Sequence, residues 1–299
     1  MATIPARLFK LYARKVIRKD PTDAKDLVRH LRRRLDHSPL PVFLPRGVRR
    51  DAYNVGALKG EWLRVKQPKQ AVLYLHGGGY VAGVTRTYRT LCGRLAKALQ
   101  ADVYLPSYRL APEHPFPAAV EDALASYKLL LTRFSPQDIT LMGDSAGGGL
   151  ALGTLLAIRD AGMEAPRCAV AFSPYADMTQ EQPSRKGNEA RDDFFTANTF
   201  LKGRALYCTS DEHRSHPHAS PVFGDYTGLP PLLLSVDENE CLRDDAYVVA
   251  EKARGAGVPV EIISREGMMH VWPIFYPLIA EARQDVAKTI AFIRQIPAR

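Results

Sequence analysis

Residues 139–148 read ITLMGDSAGG, an apolar run that leads directly into a glycine-rich turn. The run has the composition of a buried strand, and the Gly-, Ala- and Leu-rich stretch that follows it predicts a helix. A serine in the pattern G-x-S-x-G at such a junction lies on a turn so tight that its hydroxyl projects above the sheet. We therefore predict that Ser145 is a nucleophile.

Strand and helix patterns alternate on both sides of this turn. Two short strands, 49–55 and 58–65, come first. The later strands are predicted over 71–75, 102–105, 138–142, 168–172, 232–236 and 259–263, and the helices over 91–98, 118–131, 148–159, 245–254 and 278–296. Short apolar strands separated by helices of about 10–15 residues predict an α/β fold with a mostly parallel central sheet and helices on both faces.

The N-terminal arm carries most of the positive charge. Residues 1–50 hold 14 Lys or Arg against 4 Asp or Glu, a net +10, whereas the rest of the chain has a net charge of −1. Five apolar residues recur there at helical spacing, namely Ile4, Leu8, Leu11, Tyr12 and Val16. They predict a basic amphipathic helix, and a second helix is expected over residues 26–35. We expect the apolar stripe to pack on its own domain; contact with an anionic membrane surface is the alternative.

The composition excludes several other classes of protein. The charge is confined to the arm, so nucleic-acid binding is not predicted. No apolar run approaches the roughly 18 residues that span a bilayer, and the N-terminus lacks the apolar core of a signal peptide. The four cysteines show no CxxC spacing, which is typical of reduced thiols. We therefore expect a cytoplasmic protein.

A triple-glycine loop, His76-Gly-Gly-Gly-Tyr80, follows the predicted strand 71–75. If Ser145 attacks a carbonyl group, the carbonyl oxygen becomes negatively charged and needs N–H donors. Glycines can turn their amides inward because they have no Cβ. We expect Gly78 and Gly79 to donate, together with the Ala146 N–H from the serine turn. His76 is interpreted as a side chain that anchors the loop.

A serine nucleophile also needs a general base. Of the eight histidines, only His270 lies beyond the last predicted strand, with a strand between it and a cluster of acids. That matches the chain order serine, acid, histidine. His213, His216 and His218 could suggest a metal site, but Pro217 and the polar context favour a surface loop, and no metal is predicted.

The acids lie in residues 235–245, which read SVDENECLRDD. One of the five carboxylates should hold the base in the required tautomer. Asp244 and Asp245 are interpreted as capping the next helix and interacting with its dipole. Asp237 and Glu238 lie where the predicted strand ends. The residues alone leave the choice open.

Several motifs together resemble a known family. They are His76-Gly-Gly-Gly-Tyr80, Ser107-Tyr-Arg-Leu-Ala-Pro-Glu-His-Pro-Phe-Pro117, Gly143-Asp-Ser-Ala-Gly-Gly148, Glu240-x-Leu-Arg-Asp244 and His270-Val-Trp272. The chain resembles the hormone-sensitive-lipase-like carboxylesterases of the α/β-hydrolase superfamily over residues 70–299. The resemblance implies N-terminal cap helices in residues 1–45, a catalytic domain in residues 46–299, and a cap insertion near 176–215. The apolar face of the arm would then line the substrate pocket.

The resemblance also implies an activity. Members hydrolyse short- to medium-chain carboxylic esters through an acyl-enzyme, without a metal or organic cofactor, and a homodimer is a family-level expectation. Tyr108, Arg109 and Glu113 are implied to brace the loops. An amidase or formamidase, a lipase acting on lipid surfaces, and an inactive binding protein of the same fold are the alternatives.

The acid of the triad is chosen with the help of this resemblance. Glu240 occupies the position at which the family usually has Asp, and its longer side chain adds about 1.5 Å of reach. We predict that Ser145, His270 and Glu240 form the triad. Asp237 and Asp244 remain the alternatives for the acid.

Overall fold

The computed structural model describes residues 2–36, 41–56, 58–83 and 85–297. Its eight strands form a single sheet in the order β1-β2-β4-β3-β5-β6-β7-β8. They are β1 Arg49–Val55, β2 Leu58–Arg64, β3 Gln70–Leu75, β4 Ala101–Pro106, β5 Ile139–Asp144, β6 Cys168–Phe172, β7 Leu232–Asp237 and β8 Val260–Arg265. β2 pairs antiparallel with both β1 and β4. The six strands β3 to β8 are parallel to one another. The predicted mostly parallel sheet is confirmed.

The helices of the described residues connect these strands and cover them. They are α1 Ile4–Tyr12, α2 Ala24–Leu35, α3 Arg89–Leu99, α4 Ala118–Leu131, α5 Ala146–Asp160, α6 Ser184–Gly187, α7 Ala197–Tyr207, α8 Asp211–Ser215, α9 Arg243–Gly255 and α10 Ala280–Gln295. A π-helical turn, Ala13–Ile17, continues α1. None of the helices described is long and apolar enough to cross a membrane.

Both faces of the sheet are buried in apolar cores. Along β3, Leu73 and Leu75 point into one core and Val72 and Tyr74 into the other, as the period of two in a strand requires. α4, α5 and α9 contribute to the first core, and α3 and α10 contribute to the second. Burial on both faces explains why these strands read as continuous apolar runs.

The helix after the nucleophile begins earlier than predicted, at Ala146 instead of residue 148. Glycines at these positions lowered the local helix propensity, but packing requires them. A Cβ on Gly147 would lie 2.1 Å from the Leu75 carbonyl oxygen, so only glycine allows α5 to approach β3 this closely. Tertiary contact therefore overrides the propensity.

The prediction for the apolar stripe of α1 is wrong. Four of its five residues face solvent, with relative exposures of 74% for Ile4, 62% for Leu8, 55% for Leu11 and 46% for Tyr12, and the fifth, Val16, is half-buried. The opposite face, with the smaller Ala6 and Ala13, packs on the protein. The small side chains of Ala6 and Ala13 let the helix backbone approach the domain closely, and Phe9 packs beside them on Phe275.

The insertion near 176–215 folds into α6, α7 and α8. α7 packs against α2 of the N-terminal arm, and the Cβ position of Gly203 would lie 3.8 Å from Leu27. Buried Arg185 pairs with buried Asp245 of α9 at 2.7 Å, which ties the insertion to the domain. The two segments predicted to form a cap are therefore in contact with each other.

Candidate active site

The predicted site residues lie on loops that follow β3, β5, β7 and β8. All four strands end at the same edge of the sheet because they are parallel. The structure brings Ser145 and His270 to the wall of one cavity, together with Gly78 and Gly79. Ligands of open parallel sheets usually bind outside this edge.

Ser145 occupies the turn between β5 and α5. Its backbone has φ 53° and ψ −124°, a strained conformation for a residue with a side chain. Hydrogen bonds on both sides stabilise this conformation: Ser145 N–H donates to the Phe172 carbonyl at 2.8 Å, and Tyr175 N–H donates to the Ser145 carbonyl at 2.9 Å. The turn presents the side chain to the cavity.

His270 and Glu240 form a buried pair. His270 Nδ1–H donates to Glu240 Oε2 at 2.8 Å. The other oxygen, Oε1, accepts from Ser173 Oγ at 2.7 Å and from Asp237 N–H at 3.1 Å. This arrangement leaves His270 Nε2 unprotonated, the tautomer that a base requires. Nε2 has no hydrogen-bond partner among the described residues, so its contact with the Ser145 hydroxyl is not formed in this structure.

The alternative acids contact other groups. Asp237 accepts from Met268 N–H at 2.6 Å and from Asn239 N–H at 3.0 Å. Asp244 accepts from Ser184 N–H at 2.7 Å. Of the three candidates, only Glu240 has a described hydrogen bond to His270.

The capping interpretation of Asp244 and Asp245 is wrong. The N-cap of α9 is Leu242, and the Asp244 N–H of the first turn donates to Ser184 Oγ of the insertion at 3.1 Å. Both acids do lie in the first turn, where the helix dipole favours negative charge as expected. Asp245 instead accepts from the Ala176 and Asp177 N–H groups, at 2.8 and 3.0 Å, and pairs with Arg185. The cationic partner is 60 residues away in the insertion, so the local sequence could not reveal it.

The triple-glycine loop lies against the serine turn. Gly78 has φ 126°, and a Cβ there would lie 2.0 Å from the Ala82 carbonyl oxygen, so the loop needs glycine at this position. Ala146 is the first residue of α5, where a backbone N–H lacks an intrahelical acceptor. Gly78 and Gly79 line the cavity beside Ser145, and the role of the Gly78, Gly79 and Ala146 N–H groups as oxyanion donors stays a prediction.

Asp144 anchors this loop, a function that the sequence did not reveal. Its buried carboxylate accepts from Tyr74 Oη at 3.1 Å, Gly77 N–H at 3.1 Å and Tyr88 Oη at 3.2 Å. Burial raises the pKa of Asp144 to about 7, although these hydrogen bonds lower it. The position of Asp144 directly before the serine of G-x-S-x-G is the only local hint.

The cavity above Ser145 is largely apolar. Its walls come from the N-terminal arm (Phe9, Tyr12, Ala13, Ile17, Leu27 and Leu31), from the insertion (Phe194, Phe195, Thr199, Phe200 and Gly203) and from the loop after β8 (Val271, Ile274 and Phe275). Of the predicted apolar stripe, only Tyr12 borders the cavity; the other arm residues come from different positions. Such a cavity accommodates an apolar group beside Ser145.

Asp192 is a second residue that sequence reasoning missed. It is buried, and it accepts from the N–H groups of Cys241, Phe194 and Phe195, at 2.8, 2.7 and 3.0 Å. The two phenylalanine rings pack edge-on against His270, with centroids at 5.6 and 4.9 Å. Asp192 therefore connects the loop that carries Glu240 to the side chains that surround the imidazole.

The other predicted residues have structural contacts. His76 is buried, its Nδ1–H donates to the Gly77 carbonyl at 2.9 Å, and burial lowers its pKa to about 4. Tyr108 Oη donates to the His76 carbonyl at 2.6 Å. Arg109 pairs with Asp122, and Glu113 pairs with Arg32 of the arm.

The histidine cluster has no described metal-binding partners. His218 Nε2 contacts Asp160 Oδ2 at 2.8 Å. In the part of the chain that the structure describes, no group of three or more His, Cys, Asp or Glu is placed to hold a metal ion. The structure therefore offers no ligand set around His213 and His216.

Comparison with known proteins identifies the family. Residues 72–274 match a family described as having the alpha/beta hydrolase fold. The chain is 42% identical over 246 residues to an acetyl-hydrolase of Streptomyces hygroscopicus, with 82% of each chain covered. A crystal structure of an esterase from the bacterial hormone-sensitive lipase family is similar, with a TM-score of 0.88, 33% identity and 99% of each chain covered. The structure of EstE5 soaked with p-nitrophenyl butyrate gives a TM-score of 0.88 at 36% identity, covering 98% of this chain and 99% of that one. The chain therefore belongs to the α/β-hydrolase family of bacterial hormone-sensitive-lipase-like esterases, and it is a carboxylic ester hydrolase.

Proposed function

We propose that this hydrolase cleaves short- to medium-chain carboxylic esters through an acyl-enzyme on Ser145, with His270 as the base and Glu240 as the acid. The observation that carries the proposal is the buried hydrogen bond between His270 Nδ1 and Glu240 Oε2, beside the strained serine turn. A carboxylate at Nδ1 stabilises the imidazolium that forms when Nε2 takes up a proton.

In the first half of the reaction, His270 Nε2 removes the proton of the Ser145 hydroxyl while Oγ attacks the ester carbonyl carbon. The carbonyl electrons move to oxygen, where the Gly78, Gly79 and Ala146 N–H groups donate to the negative charge. The tetrahedral intermediate then collapses, and the alcohol leaves with the proton from His270. An ester between Ser145 and the acyl group remains.

In the second half, water attacks the acyl-enzyme with His270 again as the base. The intermediate collapses to release the carboxylic acid, and the proton returns to Ser145 Oγ. Besides the ester and water, every step uses only side chains and amides of this chain, so the mechanism as written calls for no cofactor.

The preference for short and medium acyl chains rests on two observations. The apolar cavity beside Ser145 is bounded by aromatic rings, among them Tyr175, Phe195 and Phe200, which limit the length of an extended chain. The relative at 42% identity is named an acetyl-hydrolase. We also propose that the segments within residues 1–45 and 176–215 act as a cap, because both supply walls of this cavity; residues 37–40 lie outside the described part.

One alternative and two expectations stay predictions. An amidase or formamidase would use the same triad, because amides and esters pass through the same type of intermediate. The homodimer is untested. The cytoplasmic location is supported by four buried free cysteines, as expected for a reducing compartment.

The test compares the wild type with Ser145→Ala and His270→Ala on p-nitrophenyl esters from acetate to decanoate and on the matching anilides. We expect both variants to lose at least about 1,000-fold in kcat/KM, because the residues act as a unit. The wild type should prefer the shorter esters and cleave anilides slowly. Activity of Ser145→Ala equal to that of the wild type would refute the proposed mechanism.

A further inference from the structure

The outer face of α1 is an apolar surface without a described partner. Ile4, Leu8, Leu11 and Tyr12 lie on it at spacings of three and four residues, which places them along one side of the helix. They are four of the nine large apolar side chains that are exposed in the described part of the chain. Such a concentration of exposed apolar groups is typical of an interaction site.

Cations border this apolar row, which we call the α1 face. Lys15 follows Leu11 by four residues, and it also lines a groove between the end of α1 and α2. The groove is lined by six cations, Lys15, Arg18, Lys19, Arg29, Arg33 and Arg34, together with Val16, His30 and one acid, Asp26. Asp26 is already paired with Lys19 at 2.7 Å.

Part of this charge is available for binding. Lys15 and Arg33 are exposed, and neither has an ion pair with any residue that the structure describes. Residues 2–36 hold 11 basic and 4 acidic side chains, a net +7. The surface around the α1 face is therefore positively charged at neutral pH, and it favours an anionic partner.

The α1 face is continuous with the cavity above Ser145. Tyr12 is exposed on the face and also borders the cavity. Phe9 and Ala13, on the inner side of the same helical segment, line the cavity as well. A hydrophobic molecule that leaves a lipid layer at this face would thus meet the cavity rim directly.

We propose that the α1 face binds an anionic lipid bilayer, with Leu8 and Leu11 among the headgroups and with Lys15 and the α2 arginines at the lipid phosphates. An amphipathic helix with a cationic border lies on membranes in this way. A second copy of this chain fits less well, because a two-fold contact would bring two faces of like charge together. The supply of esters from the bilayer to Ser145 rests on the proposed function; the binding itself does not.

The experiment measures co-sedimentation of the full chain carrying Ser145→Ala, so that lipid hydrolysis plays no part. Vesicles of phosphatidylcholine alone are compared with vesicles in which about one third is phosphatidylglycerol. We expect clear binding to the anionic vesicles only, weakened by about 0.5 M salt because screening shortens the range of the charges.

Two double variants test the residues. Lys15→Gln with Arg33→Gln should weaken binding about 30-fold, since each cation near an anionic surface contributes roughly a factor of five. Leu8→Ser with Leu11→Ser should weaken it at least about 10-fold. The matched controls are Lys128→Gln with Lys252→Gln, which are exposed cations outside the arm, and exposed Val55→Ser. The controls should bind as the unsubstituted protein does.

Three results would overturn the proposal. It fails if the protein does not bind anionic vesicles, or if the double variants bind as well as their controls. It also fails if light scattering shows a dimer that Leu8→Ser with Leu11→Ser converts to a monomer, since a second copy would then cover the face. In the active background, Leu8→Ser with Leu11→Ser should hydrolyse soluble p-nitrophenyl butyrate at the wild-type rate, which separates lipid binding from catalysis.

Discussion

Glu240 shows how a single residue depends on its surroundings. Its two carboxylate oxygens have separate functions: Oε2 accepts from His270, and Oε1 accepts from Ser173 and from the Asp237 backbone. The bonds to Oε1 hold the carboxylate in one orientation. Hydrogen bonds from Ser173 and from the end of β7 therefore hold a side chain that is one methylene longer than Asp.

Replacing Glu240 by Gln should reduce kcat by about 1,000- to 10,000-fold. The side-chain amide of Gln can donate to Nδ1, which would put the imidazole proton on Nε2 and abolish its function as a base. The rate on p-nitrophenyl butyrate checks this expectation, with circular dichroism to confirm the fold.

Asp237→Asn and Asp244→Asn are the matched controls, since both were alternatives for the acid. Each should stay within about tenfold of the wild-type kcat, because neither side chain has a described hydrogen bond to His270. A nearly fully active Glu240→Gln protein beside an inactive Asp237→Asn protein would reverse the assignment.

At the scale of elements, the loop between α6 and α7 supports the surroundings of His270 through Asp192. Asp192 accepts from three backbone N–H groups, those of the nearby Phe194 and Phe195 and that of Cys241, which lies 49 residues further along the chain. Burial raises the pKa of this carboxyl. We expect Asp192 to be a positioning residue, because it holds Phe194 and Phe195, whose rings pack against His270.

Asp192→Ala should lower kcat/KM at least about tenfold while the protein remains folded at 25 °C. The substitution leaves three buried N–H groups without their acceptor, each costing about 1–3 kcal/mol if the loop does not move. Loop movement would relieve that cost and displace the rings from His270. Steady-state kinetics and a thermal melt measure the two effects separately.

The neighbouring Asp193→Ala variant is the control, because Asp193 interacts only with Lys10 and Arg14 of the arm among the described contacts. It should retain most activity. Asp192→Asn keeps one oxygen acceptor and should recover part of the loss. Equal kinetics for Asp192→Ala and Asp193→Ala would remove Asp192 from the site.

At the scale of the whole molecule, burial of carboxyl groups couples folding to pH. The pKa values of Asp144 and Asp237 are each raised to about 7, chiefly by burial. The folded protein keeps these protons up to about pH 7, whereas an unfolded chain releases them near 3.8. Their contribution to the free energy of unfolding therefore falls as the pH rises from about 4 to 7.

Asp237→Asn isolates one of these groups, since an amide does not ionise. The variant loses an acceptor for the N–H group of Met268 or Asn239 at every pH. It has no carboxyl group, however, whose ionisation inside the folded protein would lower the free energy of unfolding as the pH rises. Its Tm relative to the wild type should therefore rise by at least about 4 °C between about pH 4.5 and 7.5. Asp211→Asn, which replaces an exposed carboxylate, should show no such trend in a calorimetric series. A flat difference for Asp237→Asn would mean that Asp237 is already ionised at the lower pH.

The sequence by itself determined the features that depend on neighbouring residues. Strands with apolar runs, helices between them, the serine turn and the triple-glycine loop all follow from local periodicity or from backbone geometry. For this reason the alternation that predicts an α/β fold with a mostly parallel sheet was readable before any contact was known. The position of His270 beyond the last strand was readable in the same way.

Only the tertiary structure decided the features that depend on distances between remote segments. Glu240 and Asp237 are both acids in one turn, and the choice between them depends on where the loop after β8 places His270. Asp245 was mistaken for a capping residue because its partner Arg185 lies in the insertion. The stripe of α1 was expected to be buried because periodicity shows that a helix is amphipathic, whereas the shape of the surface beneath it decides which face packs. Here the small face of Ala6 and Ala13 fits against the domain, and Leu8 and Leu11 remain outside.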